Sequence, residues 1–165
     1  RRIALMGGKA IPLQYQKEFY DSRDVAYASF MRERGIYDES LIFECLEYTT
    51  KIAYALMTEI LETVNPLPTA FFVGNDSMAI GAYRAIAEKG LRIPEDISIV
   101  GCNDQPNAKY MIPPLTTTRI ETKYIGYAAV DLLLEKEQRN LEYHKIVLLP
   151  TELKIRRSCA PVASE

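Results

Sequence analysis

Between Thr69 and Asp104 the chain spells out one strand–helix–strand unit, and that unit decides what the rest can fold into. Thr69 to Val73 is a short run without polar alternation, bounded upstream by Pro66 and Pro68. Such a run suits a strand covered on both faces. From Ser77 to Lys89 the apolar residues keep helical spacing, with Met78, Ala82, Ala85 and Ile86 on one side and Ile80, Tyr83 and Ala87 on another. Asp76 stands where an N-cap is wanted and Gly90 where a left-handed C-cap is wanted. Pro94 blocks further helix, and Ile97 to Val100 supplies the second buried strand. Both strands run into small polar groups: Gly74-Asn75-Asp76 after the first, Gly101-Cys102-Asn103-Asp104 after the second. Ligands of open parallel sheets sit beyond the carboxyl ends of the strands. Amides and carboxylates placed there hydrogen-bond hydroxyls without cleaving them, which implies recognition of a polyol.

The flanking sequence repeats the same alternation. Ile3 to Met6 reads as a strand ended by Gly7-Gly8, and a polar loop with Pro12 leads to a helix from about Phe19 to Arg34, closed by Gly35. Its inward stripe is expected to run Phe19, Arg23, Ala26, Tyr27, Phe30. A brief strand at Leu41 to Glu44 precedes a helix over about 50–64, with Ala53, Leu56, Met57, Ile60, Leu61 and Val64 at 3–4 spacing. After Asp104 comes an irregular stretch to Pro113-Pro114-Leu115, then the β-branched run Thr116 to Ile120, then a helix from about Lys123 to Lys136 with a solvated, charged end. Lys145 to Leu149 and Thr151 to Ile155 read as two late strands split by Pro150. Four such units before any hairpin imply an α/β fold with a doubly wound parallel sheet.

Composition narrows the function. A length of 165 residues suffices for one α/β core, and a net charge of −2 argues against a nucleic-acid surface in this segment. No apolar run is long enough to span a membrane. The chain opens on a strand after Arg1, so it is expected to start inside a larger protein. Cys45, Cys102 and Cys159 are odd in number and far apart, which indicates neither a disulfide framework nor a zinc site and suits a cytoplasmic protein with reduced thiols. Gly7-Gly8-Lys9-Ala10 lacks the glycine spacing of a phosphate loop and has Ala10 where a magnesium-holding hydroxyl belongs. A nucleophile elbow, a paired-histidine helix and a dinucleotide fingerprint are all missing, and the single histidine, His144, sits in a charged loop. The expectation is a binding protein rather than an enzyme, with no metal and no cofactor.

The blocks N-D-S-M-A-I-G-A from Asn75, P-E-D-I-S-I-V-G-C-N-D from Pro94 and P-P-L-T-T-T from Pro113 resemble the signature of the lactose/galactose repressor (LacI/GalR) family of bacterial transcription regulators. The ending P-T-E-L-K-I-R-R-S-C from Pro150 is similar to that family's C-terminal strand. The likeness runs from Arg2 to about Cys159, and the look is closest to galactoside-responsive members. It implies a periplasmic-binding-protein-like fold of two subdomains with a sugar between them. Residues 1–121 would be the C-terminal effector-binding subdomain. Residues 122–149 would be a return segment packing on an N-terminal subdomain absent from this chain, and 150–165 the terminal strand and tail.

The resemblance also assigns residues. Arg23 falls where the family has an arginine that grips sugar hydroxyls; alternatively its stem packs and its head reaches water. Asn75 matches a strand-end asparagine able to donate and accept to vicinal hydroxyls, or serves only as a turn residue. Asn103 stands where many members have aspartate, keeping the acceptor, adding a donor and losing the charge. Tyr48 aligns with an aromatic that stacks on a pyranose ring, and is otherwise a core or rim residue. A homodimer is implied through the helix after Asn75-Asp76 and the loop before Pro113, where Ile80, Tyr83 and Met111 stand. The effector would be a mono- or disaccharide, and operator DNA would be met only by a domain outside this chain. A transport-type periplasmic sugar-binding protein shares the fold and is the other reading.

Overall fold

The computed structural model describes residues 2–7, 21–45, 47–139 and 143–161. Phe19, the Gly8-Lys9-Ala10 run and the loop around Pro12 lie outside these residues. The chain runs β1 (Ile3–Gly7), α1 (Ser22–Glu33), β2 (Ile42–Glu44), α2 (Thr50–Thr63), β3 (Ala70–Val73) and α3 (Asp76–Glu88). Then come β4 (Ser98–Asn103), β5 (Thr116–Arg119), α4 (Thr122–Arg139) and β6 (Glu152–Lys154), with single 3-10 turns at Glu39–Leu41 and Ala108–Tyr110. One sheet has the order β2-β1-β3-β4-β5-β6; β1 to β5 are parallel and β6 runs antiparallel to β5. The doubly wound parallel sheet read from the alternation is therefore present. Its order reverses between β1 and β3, which opens a crevice at their carboxyl ends.

Most of the apolar content lies on one face. Odd-numbered Phe71, Val73 and Ile99 point from β3 and β4 into a core completed by Met57 and Ile60 of α2 and by Met78, Ala82 and Ile86 of α3. A fully buried large aliphatic side chain contributes about 1.5–3 kcal/mol. The two helices approach backbone to backbone at Gly81, where a Cβ would stand 2.2 Å from the Thr50 carbonyl oxygen. Caps fix the helix starts. The Thr49 hydroxyl accepts from the Ile52 N–H at 3.3 Å and Asn75 Oδ1 accepts from the Met78 N–H at 2.8 Å. Gly35 and Gly90, at φ +67° and +73°, close α1 and α3 as expected.

The opposite face is covered by α1 over a smaller cluster, Leu5 with Tyr27 and Met31. Here the expected stripe holds only in part: Tyr27 is buried and Arg23 half-buried. Ala26 and Phe30 face solvent, Phe30 lying under the Arg34 guanidinium at 4.4 Å from its ring centroid. The phase is set by Tyr27, whose hydroxyl donates to the Ile3 carbonyl at 2.7 Å, and by Met31. A second difference concerns Asp76. It is the first residue of α3, fully buried, and Asn75 is the cap. A third concerns Lys145 to Leu149, which belongs to no ladder among the described residues. The chain leaves the sheet at α4 and returns to it only at β6. Ile146 and Leu148 are accordingly 83% and 88% exposed, and α4 buries none of its residues.

Candidate functional site

At the carboxyl end of the sheet, on the α1 side, even-numbered Phe72, Cys102 and Thr118 of β3, β4 and β5 form the floor of a cavity of about 590 Å3. Arg23, Tyr48, Asn75 and Asn103, the four residues singled out in the sequence as effector contacts, all line it. They come from four separate connections: the first turn of α1, the approach to α2, the β3–α3 turn and the end of β4. Pocket size and mixed lining match those of small-molecule sites in general.

Three of the four side chains, those of Arg23, Tyr48 and Asn75, are held by hydrogen bonds within the chain. Asp21 caps α1 by accepting from the Arg23 N–H at 2.9 Å, and its carboxylate also accepts from the Arg23 Nε–H at 2.9 Å and from Nη2. Nη1 donates to the Gly74 carbonyl. A guanidinium has five N–H donors, so about two remain to face the cavity. The Arg23 guanidinium lies 5.4 Å from the Tyr48 ring centroid, within cation–π range. Tyr48 in turn donates its hydroxyl to Asp21 Oδ2 at 3.3 Å. The ring sits tightly over Gly74, where an added Cβ would come within 2.4 Å of it. Only glycine allows that approach.

Asn75 fills the turn role and also lines the cavity. Its oxygen caps α3, and its Nδ2 donates to the Tyr48 carbonyl at 3.1 Å. One amide N–H and one lone pair are left over for a ligand. Asn103 has φ 110° and Asp104 φ 52°, the two non-glycine residues with positive φ among those described. Asparagine and aspartate tolerate this region best. The Asn103 side-chain amide makes no hydrogen bond among the described residues and borders the cavity.

The electrostatics follow from these contacts. Hydrogen bonds from Arg23 hold the Asp21 carboxyl below the ordinary range, against the opposing effect of burial, and the same pair raises Arg23. Burial, with a smaller push from the Asp21 charge, lifts Asp24 to about 6. Arg23 is thus a fixed cation whose charge is matched by Asp21. The cavity presents donors, acceptors and one aromatic face, a set suited to hydroxyl groups and the C–H face of a ring. Among the described residues no three His, Cys, Asp or Glu side chains converge as a metal-ligand set.

Sequence reasoning missed Asp21 and, on the cavity floor, Phe72, Cys102 and Thr118. Asp21 was legible as a carboxylate two residues before Arg23 at a helix start. Cys102 and Thr118 were legible as strand residues one or two positions before the end, on the cavity side of the alternation. The residues read as a dimer face are arranged differently from expectation. Tyr83 is buried in the chain's own core with its hydroxyl donated to the Pro113 carbonyl at 3.2 Å, and Ile80 and Met111 are half-buried. The exposed apolar groups on that side are Tyr110 and Ile112, at 73% and 92%.

Residues 1–159 match the periplasmic binding protein-like domain family. The HTH-type transcriptional regulator GanR of Bacillus subtilis (strain 168) is 35% identical over 159 residues, covering 96% of this chain and 48% of its own length. The chain spans about half the length of the first curated relatives it matches. Among solved structures, the lac repressor dimer bound to operator and the anti-inducer ONPF aligns with 96% of this chain and 52% of that one, at TM-score 0.81 and 31% identity. A LacI family transcriptional regulator from Lactobacillus casei with bound sucrose aligns with 96% of this chain and 57% of that one, at TM-score 0.77 and 28% identity.

Proposed function

The chain belongs to the periplasmic binding protein-like domain family, among the LacI/GalR regulators, and from that membership we propose that it is the effector-binding part of a sugar-responsive transcriptional repressor. The observation that supports this reading is the convergence of Arg23, Tyr48, Asn75 and Asn103 on one cavity at the carboxyl end of the sheet, over β3, β4 and β5. Arg23 and Asn75 would grip hydroxyls, Asn103 would donate and accept at the far wall, and Tyr48 would stack on the ring. The expected effector is a neutral mono- or disaccharide, because the one cation at the site is already balanced by Asp21.

Residues 1–121 would form one wall of the effector cleft. Residues 122–149 would cross to an N-terminal subdomain outside this chain and 150–165 would return. The unburied α4 and the exposed Ile146 and Leu148 support that division. Sugar between the subdomains would favour one relative angle and shift the DNA-competent population by its differential affinity. Operator contact would belong to a domain outside the chain, in a cytoplasmic homodimer. Ile80, Tyr83 and Met111 would lie at the dimer face, with the contact itself made by Tyr110 and Ile112 around them. Relatives of this chain are named as transcriptional regulators and not as enzymes, and they lend no support to a transport protein.

The test is a thermal-shift screen of mono- and disaccharides on the full-length regulator. A sugar at a hundredfold over its Kd stabilises by about 2.7 kcal/mol, a shift of several degrees. The reading fails if no saccharide raises the Tm while a non-sugar metabolite does.

A further inference from the structure

Two of the cavity's amides are each followed by a carboxylate: Asn75 by Asp76, Asn103 by Asp104. The amides face the cavity. The Asp76 carboxylate turns into the interior, and Asp104 borders the neighbouring cavity of about 750 Å3. Asp76 Oδ1 accepts from the Thr117 hydroxyl and Oδ2 from the Gln105 N–H, both at 2.6 Å, and Asp76 and Thr117 are both buried. Asp104 accepts from Arg156 Nη2 at 2.6 Å, and its own N–H points at the Thr117 hydroxyl oxygen at 3.4 Å. Thr117 is therefore the node that joins the Asp76 carboxylate to the backbone of Asp104. Arg156 is fixed in its turn. Its Nη1 donates to the Leu115 carbonyl at 2.8 Å and its backbone N–H to Thr116 Oγ1 at 2.9 Å. The ion pair with Asp104 is mostly shielded, with side-chain exposures of 20% and 14%.

This bracing surrounds the least comfortable backbone in the molecule. Two consecutive left-handed non-glycine residues persist only where their surroundings over-determine them. Asp104 is held on its carboxylate side by Arg156, and Gln105 on its N–H side by Asp76. Asn103 is the residue whose amide borders the cavity without a partner of its own among the described residues. Resting on the effector reading above, we propose that Arg156 is a positioning residue for effector binding: by gripping Asp104 it keeps Asn103 in the left-handed conformation that presents its amide to the sugar. Arg156 does not line the cavity of about 590 Å3; with Asp104 it borders the neighbouring cavity of about 750 Å3, which Asn103 also lines. It comes two residues after β6, so the terminal segment of the chain is built into the far wall of the cleft.

The experiment is a thermodynamic cycle on the full-length regulator, titrated by calorimetry with galactose, lactose, melibiose and sucrose. The variants are Arg156→Gln, Asn103→Ala and the double substitution. Arg156→Gln should weaken sugar affinity about tenfold, in line with loss of a charge-assisted hydrogen bond, and should add nothing in the Asn103→Ala background. Arg156→Lys, which keeps the charge but loses the fork to Leu115, should fall between. Equal losses in both backgrounds would mean that Arg156 acts on the fold at large and would overturn the proposal. Asp104→Asn, which alters the pair with little change of shape, carries the same cycle if Arg156→Gln does not fold. A crystal structure of Arg156→Gln gives a reading independent of sugar: Asn103 should leave positive φ, and an unchanged φ near +110° overturns the proposal. If none of the four sugars binds the unsubstituted protein, the sugar reading is what fails, and the φ of Asn103 alone decides the role of Arg156.

Discussion

Two helices of this chain are almost equally apolar in sequence and opposite in fate. Helix α3 buries eight of its thirteen residues, between the sheet on one side and α2 on the other. Helix α4, with Tyr124, Ile125, Val130, Leu133 and Leu134 among its residues, buries none of its eighteen. The contrast comes from where the chain goes after each helix. α3 leads into β4, the parallel neighbour of β3, so the crossover must fold back over the sheet. Beyond α4, residues 145–149 have no ladder partner among the described residues, and the chain meets the sheet again at antiparallel β6. Apolar composition shows that a helix needs covering, whereas connectivity shows what covers it. The region of α2 and α3 is covered within this chain, and the region of α4 is left uncovered by it.

The largest expected effect tests the covered region. A Cβ at position 81 would overlap the Thr50 carbonyl and crowd the Tyr54 backbone nitrogen at 2.7 Å, with no flexible side chain to give way. Gly81→Ala must push α2 off α3, and overpacking of this kind costs about 3 kcal/mol. For a domain of this size the Tm should fall by about 6–12 °C. A change below about 2 °C by calorimetry would mean that α2 and α3 are not locked, and the contrast with α4 would dissolve.

Next in size is Arg23, which lies in the covered region but serves the cleft rather than the core. Arg23→Ala removes charge-assisted hydrogen bonds worth about 2–3 kcal/mol of sugar affinity. In the full-length regulator it should abolish the response to sugar and leave the Tm within a few degrees, because the guanidinium braces Asp21 and Gly74 at the rim. Normal sugar titration by calorimetry would remove Arg23 from the site. A collapse in Tm instead would make it a structural residue.

Legibility in the sequence divides along the same line. The sheet, the helices and the four converging residues could be read because βαβ alternation and strand-end polarity are local patterns. Assigning the cap of α3 to Asp76 failed since two adjacent residues both suit an N-cap. Only the neighbouring β5, which brings Thr117 against Asp76, shows which one turns inward. The α1 stripe holds at Arg23 and Tyr27 but not at Ala26 and Phe30. A short helix with Arg23, Arg32 and Arg34 around it gives a weak pattern, and the Tyr27 hydroxyl bond to Ile3 sets the rotation. Lys145 to Leu149 carries every local mark of a strand, but a strand is a relation between two segments. Tyr83 reads as surface in the sequence because the turn that hides it, around Pro113, is distant along the chain.

Self-association probes the uncovered region directly. The 165-residue chain exposes α4, Ile146, Leu148, Tyr110 and Ile112 together, more apolar surface than a monomer ordinarily carries. At concentrations on the order of tens of micromolar, analytical ultracentrifugation should show dimers or larger species. Leu133→Glu should shift the equilibrium toward monomer by about tenfold, roughly 1.4 kcal/mol, and Ile112→Glu by less. The reverse ranking would locate the sticky surface at the loop before Pro113 and strip α4 of its part. A monodisperse monomer would refute the association altogether.

The smallest effect separates the two regions most cleanly, since it repeats the first substitution on the other helix. Gly126 lies in the second turn of α4, and a Cβ there would meet nothing within 4 Å. Glycine inside a helix costs about 0.5–1 kcal/mol relative to alanine, through the freedom it retains when unfolded. In the isolated chain, Gly126→Ala should therefore raise stability by about that amount, the opposite sign to Gly81→Ala. In the full-length regulator a subdomain packed on α4 would use the small residue for close approach, as α2 uses Gly81. The gain should then shrink or turn into a loss. Urea unfolding of both proteins with and without the substitution reads the difference. Equal gains in both would show that nothing approaches Gly126 in the intact protein, and that α4 faces solvent there as it does here.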